Sequence, residues 1–201
     1  LQNDIDVLFL CLGHGESIKF IEENNIFPSI KIIDLANDFR LNLKSQIGNR
    51  KFVYGLPELQ KEKIITANNI ANPGCFATAI QLGLLPLAKA GLLNDVYTTG
   101  ITGSTGAGQS LAATSHFSWR ANNIQAYKTL THQHNAEIEQ SLNALQNNFG
   151  NFSKTRENAN ASNNSPSGDG GDFSFVPWRG DFTRGIFISS TMSCDLSIEE
   201  L

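Results

Sequence analysis

Cys75 and the pair His132 and His134 are the side chains whose types and settings point to chemistry. Cys75 stands in Ala71-Asn72-Pro73-Gly74-Cys75-Phe76-Ala77-Thr78, after a Pro-Gly break and before a stretch, Ala77 to Ala88, with the apolar spacing of a buried helix. A thiol on the first turn of a helix faces unpaired N–H groups and the positive end of the helix dipole. That setting favours the thiolate and makes a nucleophile. The structural alternative is a small buried cysteine filling a helix–strand contact. His132 and His134 sit in Tyr127-Lys128-Thr129-Leu130-Thr131-His132-Gln133-His134-Asn135-Ala136-Glu137-Ile138. In an extended stretch, residues at i and i+2 point to opposite faces, so the two imidazoles are expected to do different jobs. One could move a proton to and from a thiol adduct; the structural alternative is a surface pair capping a helix. No third and fourth ligand cluster accompanies them, so no metal site is expected.

Three further segments carry charge or backbone donors. Arg40 closes Asp34-Leu35-Ala36-Asn37-Asp38-Phe39-Arg40-Leu41, where a guanidinium can fork onto carboxylate or phosphate or pair with Asp34 or Asp38. Arg184, in Asp181-Phe182-Thr183-Arg184, invites the same two readings. Gly13-His14-Gly15-Glu16-Ser17 is a turn at a strand end, where open α/β sheets bind ligands, or a plain tight turn. Gly103-Ser104-Thr105-Gly106-Ala107-Gly108-Gln109 offers backbone N–H groups with little hindrance, suited to phosphate or carboxamide. It lacks the Lys-Ser/Thr ending of a triphosphatase loop. His14 and His116 are read as structural.

The elements that must position these groups are legible in outline. Ile5 to Leu12 is a nearly continuous apolar run, the mark of a strand buried on both faces of a parallel sheet. A short helix follows from Ile18 with Ser17 as its N-cap, then a strand from Ile30 to Leu35. This order is one unit of a doubly wound sheet. Ile64 to Ile70 reads as a short strand and turn, and Val96 to Thr102 as another strand. Asn135 to Phe149 has helical spacing and a stop at Gly150. Asn158 to Asp172, dominated by Asn, Ser and Gly, is expected to be a mobile loop. Phe173 to Pro177 and Gly185 to Met192 read as strands of a second, more open sheet. No internal repeat is present. The expected fold class is α/β: a partial Rossmann-type doubly wound parallel sheet over 1–74, followed by an α+β domain over 75–201.

Composition narrows the function classes. The 201 residues suffice for one large domain or two small ones, and 40% hydrophobic with 17% charged residues is ordinary for a soluble globular protein. A net charge of −4 leaves no basic footprint for nucleic acid, and no apolar run reaches the length of a membrane span. Leu1-Gln2-Asn3-Asp4 does not read as a signal peptide, so Asn151-Phe152-Ser153 carries no weight as a glycosylation site. Cys11, Cys75 and Cys194, odd in number and far apart, form neither a disulfide framework nor a zinc spacing. Reduced, cytoplasmic usage is expected.

Five segments in chain order, Asp38-Phe39-Arg40-Leu41, Tyr54-Gly55-Leu56-Pro57-Glu58-Leu59, Asn72 to Thr78, Gly103 to Gly108 and His132 to Ile138, give the chain a specific resemblance. It resembles the N-acetyl-γ-glutamyl-phosphate reductases of the aspartate-semialdehyde dehydrogenase-like superfamily, from about Val7 to Ile188. The resemblance implies a partial dinucleotide-binding domain at 1–74 and a catalytic and dimerisation domain at 75–201. It implies NADPH-dependent reduction of N-acetyl-γ-glutamyl phosphate to the semialdehyde plus phosphate in arginine biosynthesis. Carried over, Cys75 attacks the acyl phosphate to give a thioester, and His132 is the acid–base group as the thiohemiacetal collapses. Arg40, Tyr127 and His134 hold the substrate; Gly13, Gly15, Gly103, Gly106, Ala107 and Gly108 contact NADP. A homo-oligomer, dimer or tetramer, is implied, with no nucleic acid, membrane or metal.

The family opens with a strand and a glycine-rich fingerprint, and no G-x-G-x-x-G precedes a helix here. An internal stretch of a longer protein is therefore expected, with the C-terminal part of the catalytic domain missing. The related aspartate-semialdehyde dehydrogenases share chemistry and fold, but their histidine lies further from the cysteine and His-x-His is not their pattern. From other classes, a Cys/His hydrolase or acyltransferase working without cofactor leaves the Gly103–Gly108 loop unexplained. An inactive fragment kept as an interaction module is the third alternative. The acyl group, acetyl by family default or succinyl, is a choice on which Trp119 and Arg120 could bear.

Overall fold

A computed structural model describes residues 4–108, 112–147, 149, 171–194, 196, 197 and 199. The chain divides into two compact units, Leu1–Gly74 and Cys75–Leu201.

The first unit runs β1 (Val7–Leu10), α1 (Glu16–Glu23), β2 (Lys31–Asp34), β3 (Gln46–Ile47), β4 (Arg50–Lys51), β5 (Val53–Tyr54), α2 (Pro57–Thr66) and β6 (Asn69–Ala71). Four strands form a sheet in the order β1-β2-β6-β5, parallel at every pairing, and β3 and β4 form a separate antiparallel pair. Leu10, Ile26, Ile30, Ile32, Phe39, Phe52 and Ala71 make its core, with the Phe39 and Phe52 rings stacked at 4.0 Å. Arg50 ties the chain beneath that core: its guanidinium donates to the carbonyls of Ile26, Phe27 and Ile30 and to Asn69 Oδ1.

Three expectations are corrected here. β1 is not buried on both faces: Val7 is 41% and Phe9 57% exposed, because among the described residues β1 pairs with β2 alone, at the sheet edge. Ser17 is not the N-cap of α1. Gly15, left-handed at φ 87°, holds that position, and Ser17 is buried as the second residue of the helix, donating to Asp34 Oδ1 at 2.6 Å. The cap comes from afar: the Asp38 carboxylate accepts from the N–H groups of Gly15 (2.6 Å) and Ser17 (3.1 Å). Finally, Ile64 to Thr66 belongs to α2, not to a strand. Pro57 starts that helix and a run of good helix formers carries it to Thr66, so β6 begins only at Asn69.

The second unit runs α3 (Cys75–Lys89), β7 (Val96–Thr102), α4 (Phe117–Arg120), β8 (Gln125–Ala126), α5 (Asn135–Leu145), β9 (Phe173–Arg179) and β10 (Ile186–Met192). Its sheet has the order β10-β7-β9-β8, with β7 and β9 parallel and both outer strands antiparallel. β7 alternates strictly, with Val96, Thr98, Gly100 and Thr102 inward and Tyr97 and Thr99 outward. α3 and α5 pack on each other and on the sheet, burying Phe76, Ile80, Ile138, Leu142 and Phe175.

α5 stops at Leu145, short of the expected Phe149. Gln146 turns extended (φ −121°, ψ 104°), and its side-chain amide exchanges two hydrogen bonds with the backbone of Leu93. Phe149 is nonetheless fully buried beyond the helix end. Gly150, Asn151 to Ser153 and residues 158–170 of the expected loop lie outside the described residues. Asp172, which closes that stretch, is held at β7 through Asp95 and Val96. Among the described residues no helix is long and apolar enough to cross a membrane.

Candidate active site

Cys75 is the first residue of α3 and is exposed. The next residue, Phe76, is 1% exposed and anchors the helix start. Its ring stands edge-on to Phe175 at 5.1 Å and to His132 at 5.7 Å, and 6.4 Å from His134. The sheet admits this ring because Gly100 has no side chain: a Cβ there would lie 2.6 Å from Phe76 Cε1 and 2.9 Å from both Phe175 and Ile188. The strand glycine, the phenylalanine and the thiol beside it thus form one packing unit.

The histidines depart from the expected arrangement. Residues 127–134 are not extended but turn tightly, with Lys128 (φ 45°) and Leu130 (φ 58°) in the left-handed region. Leu130 N–H donates to Phe175 O, which pins the turn to β9. The rings of His132 and His134 therefore meet at 4.5 Å, nearly perpendicular, instead of facing opposite ways. Both are buried, so they are not a surface pair.

The backbone N–H of His134 donates to His132 Nδ1 at 3.2 Å. With Nδ1 accepting, the neutral ring carries its proton on Nε2. Burial, helped by the nearby Lys128 charge, lowers the His132 pKa from 6.5 to about 4, so the neutral form holds at pH 7. His134 Nε2 lies 4.0 Å from Glu137 Oε1, one turn along α5.

Tyr127 completes the cluster, its ring 5.7 Å from that of His132. Desolvation raises its pKa, opposed by the Arg179 charge and reinforced by Cys75, so the phenol keeps its proton. Arg179 lies over the Tyr127 ring at 4.7 Å. Within the second unit, Cys75, Tyr127, His132 and His134 come together as one cluster. Nothing in the local sequence marks Phe76, Phe175 and Arg179 as site residues. Their local signals are those of ordinary core or strand-end residues, and only the pairing of β9 with β7 and β8 brings Phe175 and Arg179 here.

The glycine turns offer less than expected for phosphate. The Gly13–Gly15 turn precedes α1, but the first donors of that helix are occupied by Asp38, an internal anion where a phosphate would sit. Ser104 to Ala107 is a 3₁₀ turn. The N–H groups of Gly103, Ser104 and Thr105 donate to the carbonyls of Gly185, Phe182 and Thr183. Gly103 and Gly106 lack side chains for packing reasons: a Cβ would meet Arg184 N at 2.8 Å and Thr102 Oγ1 at 2.7 Å respectively. Gly108 differs, being left-handed with open space beside it. These turns do not fit a phosphate cradle of free N–H groups. At the carboxyl end of the first sheet, where open α/β sheets bind ligands, Leu12 and Leu35, each 40% exposed, follow β1 and β2.

Arg40, Gly13 and Gly15 belong to the first unit. There the buried Arg40 donates through Nη2 to Leu35 O at 2.8 Å. The Asp34 pKa is raised chiefly by burial, against the hydrogen bonds from Ser17 and Ala36; Asp38 adds to the rise and Arg40 opposes it. His14 and His116 each accept a backbone hydrogen bond at a turn or helix end. Among the described residues, no three His, Cys, Asp or Glu side chains gather as a metal site would require.

Comparison with known proteins adds sequence relatives to this geometry. Residues 75–201 match the model of the semialdehyde dehydrogenase dimerisation domain, and residues 1–67 that of the semialdehyde dehydrogenase NAD binding domain. The chain is 52% identical to a protein of Flavobacterium johnsoniae named N-acetyl-gamma-glutamyl-phosphate reductase, over 100% of this chain and 56% of that one. It is 49% identical to the protein of the same name from Phocaeicola vulgatus, over 99% of this chain and 55% of that one. The chain therefore spans about half the length of the curated relatives it matches. The solved structure of aspartate semialdehyde dehydrogenase II from Vibrio cholerae shares the fold, with a TM-score of 0.62 at 14% identity over 96% of this chain and 56% of that one. With the dimerisation-domain model matched from Cys75 to the last residue, the chain belongs to the semialdehyde dehydrogenase family.

Proposed function

We propose that the natural full-length protein reduces an N-acyl-γ-glutamyl phosphate to the corresponding semialdehyde and phosphate, with NADPH as the reductant, as a step of arginine biosynthesis. The observation that carries this reading is the exposed thiol of Cys75 at the start of α3, within electrostatic reach of a protonated Tyr127 and next in chain to Phe76, whose ring stands edge-on to the buried neutral imidazole of His132. The names of the relatives supply the acyl phosphate.

Cys75 Sγ, as thiolate, forms a bond to the γ-carbonyl carbon, and the acyl C–O bond to phosphate breaks with the electron pair leaving on phosphate. The product is a thioester, which accepts hydride where a carboxylate would not. A reduced nicotinamide cofactor, when bound, supplies that hydride. The thiohemiacetal then collapses: the C–O bond becomes a carbonyl, the C–S bond breaks, and Cys75 regains its thiolate. In both tetrahedral stages negative charge gathers on one oxygen. His132, with its proton on Nε2, is built to donate to that oxygen. This is the donor half of the acid–base role that the family resemblance implies. Tyr127, His134 and Arg40 hold the substrate. Gly13, Gly15, Gly103, Gly106, Ala107 and Gly108 are the residues the family resemblance sets against the cofactor; of these, Gly15 and Gly108 have open space beside them.

Self-association through the outer face of the second sheet accompanies this reading. Tyr97 on β7 and Phe187 on β10 are each 60% exposed there.

The test is NADPH oxidation by the full-length protein with the acyl phosphate, beside a Cys75→Ser form. Loss of at least about 10³-fold in kcat, with no thioester trapped, is expected. Near-normal turnover by Cys75→Ser would overturn the assignment. Acyl transfer by the wild type without any cofactor would favour the acyltransferase alternative.

A further inference from the structure

Two groups contact the Tyr127 ring, and only His132 has a part in the reaction proposed above. The His132 ring meets it at 5.7 Å, within the cluster around the thiol. Over the ring lies the half-buried guanidinium of Arg179, 4.7 Å from the ring centroid. Register explains this contact. β8 pairs with β9 so that Gln125 stands opposite Arg179 and Ala126 opposite Trp178. Tyr127 adds one more bond to that ladder, its N–H donating to Pro177 O at 3.0 Å. Side chains alternate along a strand, so Tyr127 shares the face of Gln125, and Arg179 reaches its ring as the diagonal neighbour. The next residue, Lys128, turns left-handed at φ 45°. Tyr127 therefore stands where the ladder gives way to the turn, and the guanidinium is what covers its ring there.

The guanidinium has a second tether. Its Nη1 donates to Thr114 Oγ1 at 2.8 Å, across 65 residues of sequence. Among the described residues no carboxylate pairs with it, so no counter-ion offsets its charge over the ring. A cation over an aromatic face is attracted by the ring electrons and polarises them toward itself. A phenol polarised in this way is a stronger hydrogen-bond donor. The electrostatics run in that direction: burial raises the Tyr127 pKa and the Cys75 charge adds to the rise, while the Arg179 charge opposes both. Arginine suits the position because its planar fork can stack on the ring and bond to Thr114 together, which an ammonium does less well.

We propose that Arg179 is a positioning residue: spanning Thr114 and Tyr127, it holds the phenol in the histidine cluster and strengthens the hydrogen bond that Tyr127 gives the substrate. The role of Tyr127 toward substrate rests on the function proposed above. An arginine kept only for stability would tie β9 to Thr114, and its loss would leave the acidity of the phenol and the kinetics of the folded enzyme untouched.

The test uses the full-length protein as wild type, Arg179→Gln, Arg179→Lys, Tyr127→Phe and the double variant Arg179→Gln with Tyr127→Phe. NMR of ring-labelled tyrosine reads the titration midpoint of Tyr127, its resonance assigned by its loss in Tyr127→Phe. Arg179→Gln is expected to raise that midpoint, and Arg179→Lys, which keeps the charge, to leave it near the wild-type value. With the acyl phosphate and NADPH, Arg179→Gln is expected to lower kcat/KM about 10-fold, the size of one weakened hydrogen bond. Arg179→Lys recovers part of that loss. In the Tyr127→Phe background the same Arg179→Gln change is expected to cost less than about twofold, because its effect passes through the phenol. A midpoint unmoved by Arg179→Gln, or equal losses with and without the Tyr127 hydroxyl, overturns the proposal. Should Arg179→Gln fail to fold, Thr114→Val, which removes only the second tether, decides by the same readouts, with changes in the same direction expected. A raised midpoint in Arg179→Gln, together with no reduction of the acyl phosphate by wild type, would sink the reductase assignment and leave the coupling of Arg179 to Tyr127 standing.

Discussion

The imidazoles of His132 and His134 meet edge to face at 4.5 Å, and the backbone N–H of the second points at Nδ1 of the first. One ring thereby has its tautomer chosen by the peptide two residues on. Protonating His132 would place a second hydrogen against that N–H, which adds a local reason, besides burial, for its reluctance to charge.

The pH dependence follows from this. Burial lowers the His132 pKa to about 4 in the fold from 6.5 when free, so between those values the unfolded chain binds a proton that the folded chain refuses. Its share of stability is complete above pH 6.5, declines as pH falls, and is exhausted near pH 4. Urea melts across this range should show a decline that is shallower in His132→Gln. An NMR midpoint for His132 above 6 would refute the argument.

Gly100→Ala tests the packing unit that holds the thiol. The added methyl has no space between Phe76, Phe175 and Ile188, so a loss of about 1–3 kcal/mol is expected. Because Phe76 adjoins Cys75, thiol reactivity toward a disulfide reagent should change as well. Thermal melts and thiol kinetics on the same sample measure both effects.

Asp38→Ala should loosen the start of α1 by about 1–2 kcal/mol, the usual cost of a lost helix cap. It should also uncover the N–H groups that Asp38 now occupies. Chemical-shift mapping with inorganic phosphate should then show binding at Gly15 and Ser17 in the variant and none in wild type.

These effects show what local sequence can and cannot reveal. The bounds of β7 are readable in the segment Val96 to Thr102, and the start of α3 in the Pro-Gly break, because both are set by neighbours in the chain. The histidine turn is not. Lys128 and Leu130 adopt left-handed backbone that their residue types do not favour, held by the bond from Leu130 to Phe175 across a long sequence gap. The cap of α1 is hidden from local sequence for the same reason: Ser17 is the conventional local choice, but Asp38 reaches the helix start from 21 residues away.

Arg50→Met offers a further check, on the first unit alone. Three backbone carbonyls and Asn69 lose their common donor, so a cost of about 2–4 kcal/mol is expected. A urea midpoint equal to that of wild type would show that water replaces the guanidinium at little cost.

The edge position of β1 has a colloidal consequence. Ile5, Val7 and Phe9 are 40%, 41% and 57% exposed on alternate residues, beside a backbone edge that no described strand pairs with. An apolar edge of this kind is a template for stacking copies of itself. The purified 201-residue chain should therefore precipitate as its concentration rises, and Phe9→Lys should delay this by placing a charge in the row. How concentrated a sample can be kept is thus set by three side chains far along the sequence from the thiol.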